Sequence, residues 1–512
     1  MDGAVVKARR EMFRRVLVAN RGEIALRVIR ACREMGIESV AVYSEADARS
    51  PHVAAADQAI LIGPPPAAQS YLDIARLVEV ARGAQCDAVH PGYGFLAENP
   101  AFAHACADAG LTFVGPSAAV IALLGSKTAA RDAARAAGLP IVPGEKPPRQ
   151  TNAAIKECAL RIGLPVLLKA AAGGGGKGMR LVADQSDLDE AIDAARREAT
   201  AAFGDGTLYI ERALKEPRHV EIQVFGDSHG HAVHLFERDC SVQRRHQKVI
   251  EESPSPALSP SLRDRMGGAA RSLVQSVGYR NAGTVEFLLE GTGDNATFYF
   301  LEMNTRLQVE HPVTEAVTGV DLVRAQLLEA SGMPLPWTET ELSLRGHAIE
   351  CRVYAEDPAQ DFIPQAGRLL CYREPRLPGI RIDSGVVEGG EVSVYYDPLL
   401  AKLIATGETR QVAIDRAIAA LRQYPVLGIR TNVSFLVSVL SDHRFRDGRV
   451  HTQFLDREAA AIIATEEQLP VPDEAFAVAA AATGRQSHTG DAPTATVHRA
   501  PDPWVTLEGW RQ

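Results

Sequence analysis

Long apolar runs, paired cysteines and an excess of basic charge are all missing from this sequence, and each absence removes a class of protein. No apolar stretch approaches the ~20 residues that a bilayer-spanning helix needs, so no membrane span is expected. The N-terminus carries Lys7, Arg9, Arg10, Glu11, Arg14 and Arg15 with no apolar run behind them, so no secretory signal is expected. The seven cysteines are scattered, odd in number and free of any CxxC pair. They read as reduced thiols of a cytoplasmic or similar compartment rather than a disulfide framework. A net charge of -9 argues against bulk nucleic-acid binding. Two nucleotide signatures are also missing. The turn after the first strand lacks GxGxxG, which argues against a nicotinamide cofactor, and no GxxxxGK[ST] occurs anywhere.

What remains is a globular composition, 46% hydrophobic and 23% charged over 512 residues, enough for several domains and a large core. Arg15–Ala19 reads as a short buried strand, followed by Asn20-Arg21-Gly22-Glu23 and a helix from Ile24 to Met35. Strands near Ser39–Tyr43, Ala59–Ile62, Ala88–His90 and Thr112–Val114 alternate with helical stretches, the pattern of a parallel sheet with helices on both faces. His90–Asn99 is a glycine-rich loop after one such strand, and Lys127 lies in the helical region Ala118–Ala137. A second alternation follows the linker at Pro140–Gly144: a helix over Ala153–Ile162, a strand over Pro165–Ala170, a helix over Asp187–Ala202 and a strand at Thr207–Arg212. Between them, Gly173-Gly174-Gly175-Gly176-Lys177-Gly178-Met179 lets backbone N–H groups turn together towards an anion, and Lys169 and Lys177 add positive charge. This loop is expected to bind phosphate.

Further on, Arg218–Phe225 alternates strictly, with His219, Glu221 and Gln223 on one parity and Val220, Ile222 and Val224 on the other. It reads as a half-buried strand. The polar run Glu237–Lys248 is suited to holding an anion, a solvated charge run being the plainer alternative. Ile349–Pro358 reads as strand then turn, Tyr395–Ile404 as a strand, and Arg410–Tyr424 and Asn432–Leu440 as helices.

The densest chemistry lies in Phe298–Pro312. With a period of two, Glu302, Asn304, Arg306, Gln308 and Glu310 share one side of an extended chain. A hairpin through the turn Gly291–Asn295 sets Glu286 opposite Glu302, and two facing carboxylates repel unless a cation sits between them. Read as one uniform strand at about 3.3 Å per residue, Glu302 and Glu310 would lie about 26 Å apart.

Six segments in order carry a family resemblance: ANRGEIALR (Ala19–Arg27), HPGYGFLAEN (His90–Asn99), KAAAGGGGKGMR (Lys169–Arg180), ERDCSVQRRHQK (Glu237–Lys248), EMNTRLQVEHPVTE (Glu302–Glu315) and ECRVYAEDP (Glu350–Pro358). Together they resemble the biotin carboxylases of the ATP-grasp superfamily over roughly Phe13 to Leu455. The resemblance implies an α/β protein with a Rossmann-like domain (12–126), an ATP-grasp domain (127–330) with a mobile lid (about 141–213) and a C-terminal domain (345–457). A partly disordered tail (458–512) would follow. It implies ATP binding by Lys127, Lys169, the 173–179 loop, Glu211, Leu214, His219, Gln243 and His246, with Mg2+ or Mn2+ on Glu286, Glu302 and Asn304. Lys248, Arg306, Gln308, Val309 and Glu310 would hold bicarbonate, Glu310 acting as base, and Arg352 would hold the ureido oxygen of biotin. With Glu302 and Glu310 thus in one site, the resemblance also implies that the chain bends after Asn304.

The implied activity is ATP-dependent carboxylation of biotin through carboxyphosphate, the first half-reaction of an acetyl- or acyl-CoA carboxylase. Another ATP-grasp ligase and a non-catalytic scaffold subunit are the alternatives. No Ala-Met-Lys-Met sequence occurs, so biotin is expected on a separate carrier or domain. A carboxyltransferase subunit and a homodimer or larger complex are the implied partners. Asp502–Arg511 resembles the opening of the linker region in longer α-chains.

Overall fold

The computed structural model describes residues 12–171 and 179–467. The chain divides into Met1–Ile463 and Ala464–Gln512, and the elements below belong to the first unit. The loop residues Gly173 to Gly178, Lys177 included, and the tail from 468 onward lie outside the described residues.

The first sheet is parallel. Its strands β1 (Arg15–Val18), β2 (Glu38–Ser44), β3 (Gln58–Gly63), β4 (Ala88–His90) and β5 (Thr112–Phe113) take the order β3-β2-β1-β4-β5. Because side chains alternate across a strand, Val16 and Val18 pack with Ile24 and Val28 of the helix Gly22–Glu34, while Leu17 packs with Leu77 and Phe102 on the other face. The order reverses between β1 and β4, and the loops after these two strands meet there. Asn20 ties them by donating to the carbonyls of Pro91 and Tyr93, 2.7 Å each. Gly92 sits at φ +63, and a Cβ there would meet Asn20 and Ile24 at 3.0 Å, so the loops close only over glycine.

The second sheet, β6 (Gly144–Glu145), β7 (Val166–Ala170), β8 (Arg180–Val182) and β9 (Leu208–Arg212), has the order β6-β9-β7-β8 and is antiparallel. Helices Asn152–Ile162 and Leu188–Phe203 cover it and enclose a core of its own, with Ile155, Leu168, Ile192 and Ile210 at its centre.

The third sheet carries the chemistry. Strands β10 (Arg218–Gly226), β11 (Ala232–Arg244), β12 (Gln247–Ser253), β13 (Asn281–Glu290), β14 (Thr297–Asn304), β15 (His347–Tyr354), β16 (Ile380–Ser384) and β17 (Leu399–Gly407) form one antiparallel sheet. Their order is β14-β13-β10-β11-β12-β15-β17-β16. The β12–β15 pairing joins the central part of the chain to the C-terminal part without a break. Strand β10 departs from the half-buried expectation: all nine of its residues are buried. Helix Pro260–Ser276 covers its apolar side through Leu262, Met266 and Ala270, and ion pairs seal the polar side. Glu237 to Gln243 are likewise buried, so the solvated alternative fails for that part of the run and holds only for the exposed Arg245 and His246.

Candidate active site

The β13–β14 hairpin sets Glu286 opposite Glu302 and Thr284 opposite Asn304. Strand β14 ends at Asn304 and the chain turns, reaching the helix His311–Thr318 seven residues later. The even-numbered polar residues therefore divide: Glu302 and Asn304 stand on the strand, while Arg306, Gln308 and Glu310 are carried by the turn. Glu98, from the loop after β4, holds that turn by accepting from the Thr305 N–H and from Arg306 Nε, both at 3.0 Å. Arg306 also donates to Asn304 Oδ1 at 3.1 Å.

Lys248, on β12, is the hub. Its ammonium lies 2.6 Å from Glu221, 3.0 Å from Glu286 and 2.6 Å from Glu310. Burial works against that charge, but Cys240 and the three carboxylates outweigh it and hold the Lys248 pKa well above the usual lysine value. Glu286 accepts from Asn304 and Gln308 at 2.9 Å each and faces His219 at 3.0 Å. Burial pushes its carboxyl up, and Lys248 and His219 more than reverse this, leaving it well below the usual range. Glu310 lies between two cations: Lys248 on Oε1 and Arg352, at 3.0 Å, on Oε2. Burial again raises and Lys248, Arg352 and Arg238 lower, so Glu310 is ionised although its side chain is almost fully enclosed.

Glu302 behaves in the opposite way. It stays exposed, and crowding by the surrounding protein together with the charge of Glu286 raises its carboxyl. Two facing carboxylates, one forced upward, plus the Asn304 amide make a hard-oxygen donor set suited to Mg2+ or Mn2+. Lys127 contributes positive charge near Glu302.

Other expected residues lie apart from this cluster. On the second sheet, the Glu211 carboxylate is taken by Lys169 and Arg131. Burial raises it and these two cations lower it below the usual range. Leu214 and Met179 are half-buried. Gln243 is buried opposite Lys248 in the β11–β12 register, and His246 is exposed on the two-residue turn Arg245-His246, both at positive φ (48 and 66). Non-glycine residues hold such angles at a cost, and strained turns of this kind gather at functional sites.

Sequence reasoning missed Arg238. It is completely buried, and its five N–H donors reach Glu221, Gln223 (2.7 Å), Thr314 (2.9 Å), Thr284 (3.0 Å) and Gln308 (2.9 Å). Glu251 was also missed; it accepts from Arg352 Nε at 2.6 Å, and its carboxyl is pushed up to about 7 by burial against the pull of Arg352. Arg238 stood within the polar run Glu237–Lys248, and nothing local marked it as interior.

A parallel sheet, a small covered sheet and a large antiparallel sheet lined by lysines, carboxylates and Arg352 define an ATP-grasp ligase architecture. The chain belongs to the biotin carboxylase family. Residues 12–121 match the biotin carboxylase N-terminal domain, 126–338 the carbamoyl-phosphate synthase L chain ATP-binding domain, and 350–457 the biotin carboxylase C-terminal domain. The biotin carboxylase of Halalkalibacterium halodurans is 50% identical over 444 residues, covering 87% of this chain and 97% of that protein. The mitochondrial methylcrotonoyl-CoA carboxylase subunit alpha of Rattus norvegicus is 49% identical over 89% of this chain and 63% of its own length. Among solved structures, the biotin carboxylase domain of the Hydrogenobacter thermophilus 2-oxoglutarate carboxylase, in complex with MgADP, ADP and bicarbonate, superposes with a TM-score of 0.82. It is 43% identical, over 88% of this chain and 99% of that one.

Proposed function

We propose that this chain performs the first half-reaction of a biotin-dependent acyl-CoA carboxylase: ATP phosphorylates bicarbonate, and the carboxyphosphate so formed delivers its carboxyl to biotin on a separate carrier. The observation that carries this reading is the buried, ionised Glu310 set between Lys248 and Arg352. Bicarbonate becomes a better nucleophile towards the γ-phosphorus when it loses its proton, and Glu310 takes that proton. In the described state Lys248 and Arg352 hold its basicity down. As those cations turn to phosphoryl oxygens and to biotin, the carboxylate regains its affinity for a proton.

Arg306, Gln308 and the Val309 main chain hold the bicarbonate, while Lys248, Lys127 and Lys169 balance charge spreading over the transferred phosphoryl. Glu286, Glu302 and Asn304 would hold Mg2+ or Mn2+, which neutralises phosphate charge when bound. Carboxyphosphate breaks down to carbon dioxide and phosphate, and that phosphate takes the N1 proton of biotin. Arg352 then holds the ureido oxygen as negative charge develops on it, a contact suited to a guanidinium. The 173–179 loop, Glu211, Leu214, His219, Gln243 and His246 complete the nucleotide site in this reading, and closure of a lid spanning about 141–213 keeps water from carboxyphosphate.

The proposed partners are a biotinylated carrier, a carboxyltransferase subunit and a second copy of the chain; the methylcrotonoyl-CoA carboxylase relative supports an acyl-CoA acceptor. Purified protein with Mg-ATP should release ADP only with bicarbonate present and faster with free biotin. ADP release indifferent to both additions would sink the reading.

A further inference from the structure

Lys402, on β17, is completely buried, and no other lysine among the described residues is enclosed to that degree. We propose that Lys402 is a positioning residue for the bicarbonate turn, pinning the Val309 carbonyl and through it the peptide that aims Glu310. The proposal rests on the function given above. The Lys402 ammonium donates to Val309 O at 2.8 Å and lies 3.0 Å from Glu23 Oε1 and 4.0 Å from Asp383 Oδ2.

A buried ammonium costs several kcal/mol unless paired, so its place needs a reason. Part of that reason is charge: Lys402 is the cation that faces Glu23, whose other partner, the Tyr93 hydroxyl, is neutral. Asp383 has a cation of its own in Arg381, which donates to it at 2.9 and 2.7 Å. Beyond that charge, Lys402 supplies a donor to Val309. That residue lies between the end of β14 and the helix His311–Thr318, where the turn has no ladder to hold it. The contact draws three distant segments to one point: the helix Gly22–Glu34 through Glu23, β17, and the turn itself. On the next residue, Glu310 must keep both Lys248 and Arg352 in reach. A freed Val309 carbonyl lets that peptide rotate and takes the carboxylate with it.

The test compares wild type, Lys402→Met and the charge-balanced Glu23→Gln/Lys402→Met, which keeps the interior neutral if the single variant folds poorly. In each folded variant the KM for bicarbonate should rise about 10-fold or more while the KM for Mg-ATP stays within about twofold, the split expected when one substrate's site is misaligned. Hydrogen exchange at the amides of 305–311 should speed up, with the amides of Val166–Ala170 unchanged. Exchange does not depend on turnover. Faster exchange in the variants of a protein that shows no biotin-dependent ADP release would thus fault the functional reading and leave the positioning role standing. A folded double variant with wild-type exchange at 305–311 and a wild-type bicarbonate KM would overturn the proposal. So would equal losses in both KM values.

Discussion

Glu310 is kept ionised by two cations rather than by water, and this sets the consequences of changing it. Glu310→Gln keeps the shape, removes the acceptor of the proton and should lower bicarbonate-dependent ADP release by ~10²–10⁴-fold. ATP affinity by titration should persist, and near-normal turnover would remove Glu310 as the base. Arg238→Met strips a fully buried cation from Glu221 and should cost roughly 3–5 kcal/mol in urea unfolding. A loss under 1 kcal/mol would mean the pair contributes little. At this scale the sequence was half legible. Glu286 and Glu302 follow from hairpin register, which is local. Arg238 does not, because a charged residue is interior only if five acceptors from four other segments surround it.

Among the elements, the β13–β14 hairpin stores a like-charge pair. Glu302→Gln removes the repulsion and should stabilise the metal-free protein by about 0.2–1 kcal/mol, while abolishing the added thermal stability that Mg-ATP confers. Destabilisation without metal, or an intact Mg-ATP shift, would show that the carboxylates neither repel nor share a cation. On the small sheet, Lys169→Gln should weaken ATP binding; equal affinity in the variant would contradict a nucleotide role for that lysine. The helices and strands read from periodicity sit within a few residues of those found. The bend after Asn304 was legible only through the family resemblance, which puts Glu302 and Glu310 in one site that a straight strand cannot span. The enclosure of β10 was not. Alternation reports two unlike faces, and it cannot say whether the polar face meets water or a layer of buried ion pairs.

In the whole molecule, one antiparallel sheet runs from the β13–β14 hairpin through β12–β15 to β16, and the parallel-sheet region meets it through Glu98 of the β4 loop and Glu23 of the helix Gly22–Glu34. Acid should loosen this body through its neutral histidines. Burial lowers His52 and His90 from 6.5 to about 4. Their unfolded forms take up protons below pH 6.5 and the folded forms do not until about 4, so below 6.5 the unfolded chain binds more protons. The contribution is complete above pH 6.5 and is lost progressively as the pH falls towards 4. Unfolding free energy measured by denaturant should fall by several kcal/mol across that window, each pH unit per suppressed histidine counting ~1.4 kcal/mol. In His90→Gln the slope should be shallower, and an unchanged slope would exclude His90 as a source.

By itself the sequence determined the alternation of strands and helices, the hairpin that sets Glu286 against Glu302 and the order of the six segments. All of these depend on residues close in the chain, where backbone geometry and side-chain period leave few choices. Only the tertiary structure decided which charges are interior and what each one holds. Glu98 reaches Arg306 across 208 positions and Lys402 reaches Val309 across 93. A charged side chain can be buried only where partners from such distances converge on it, and no local pattern records that convergence.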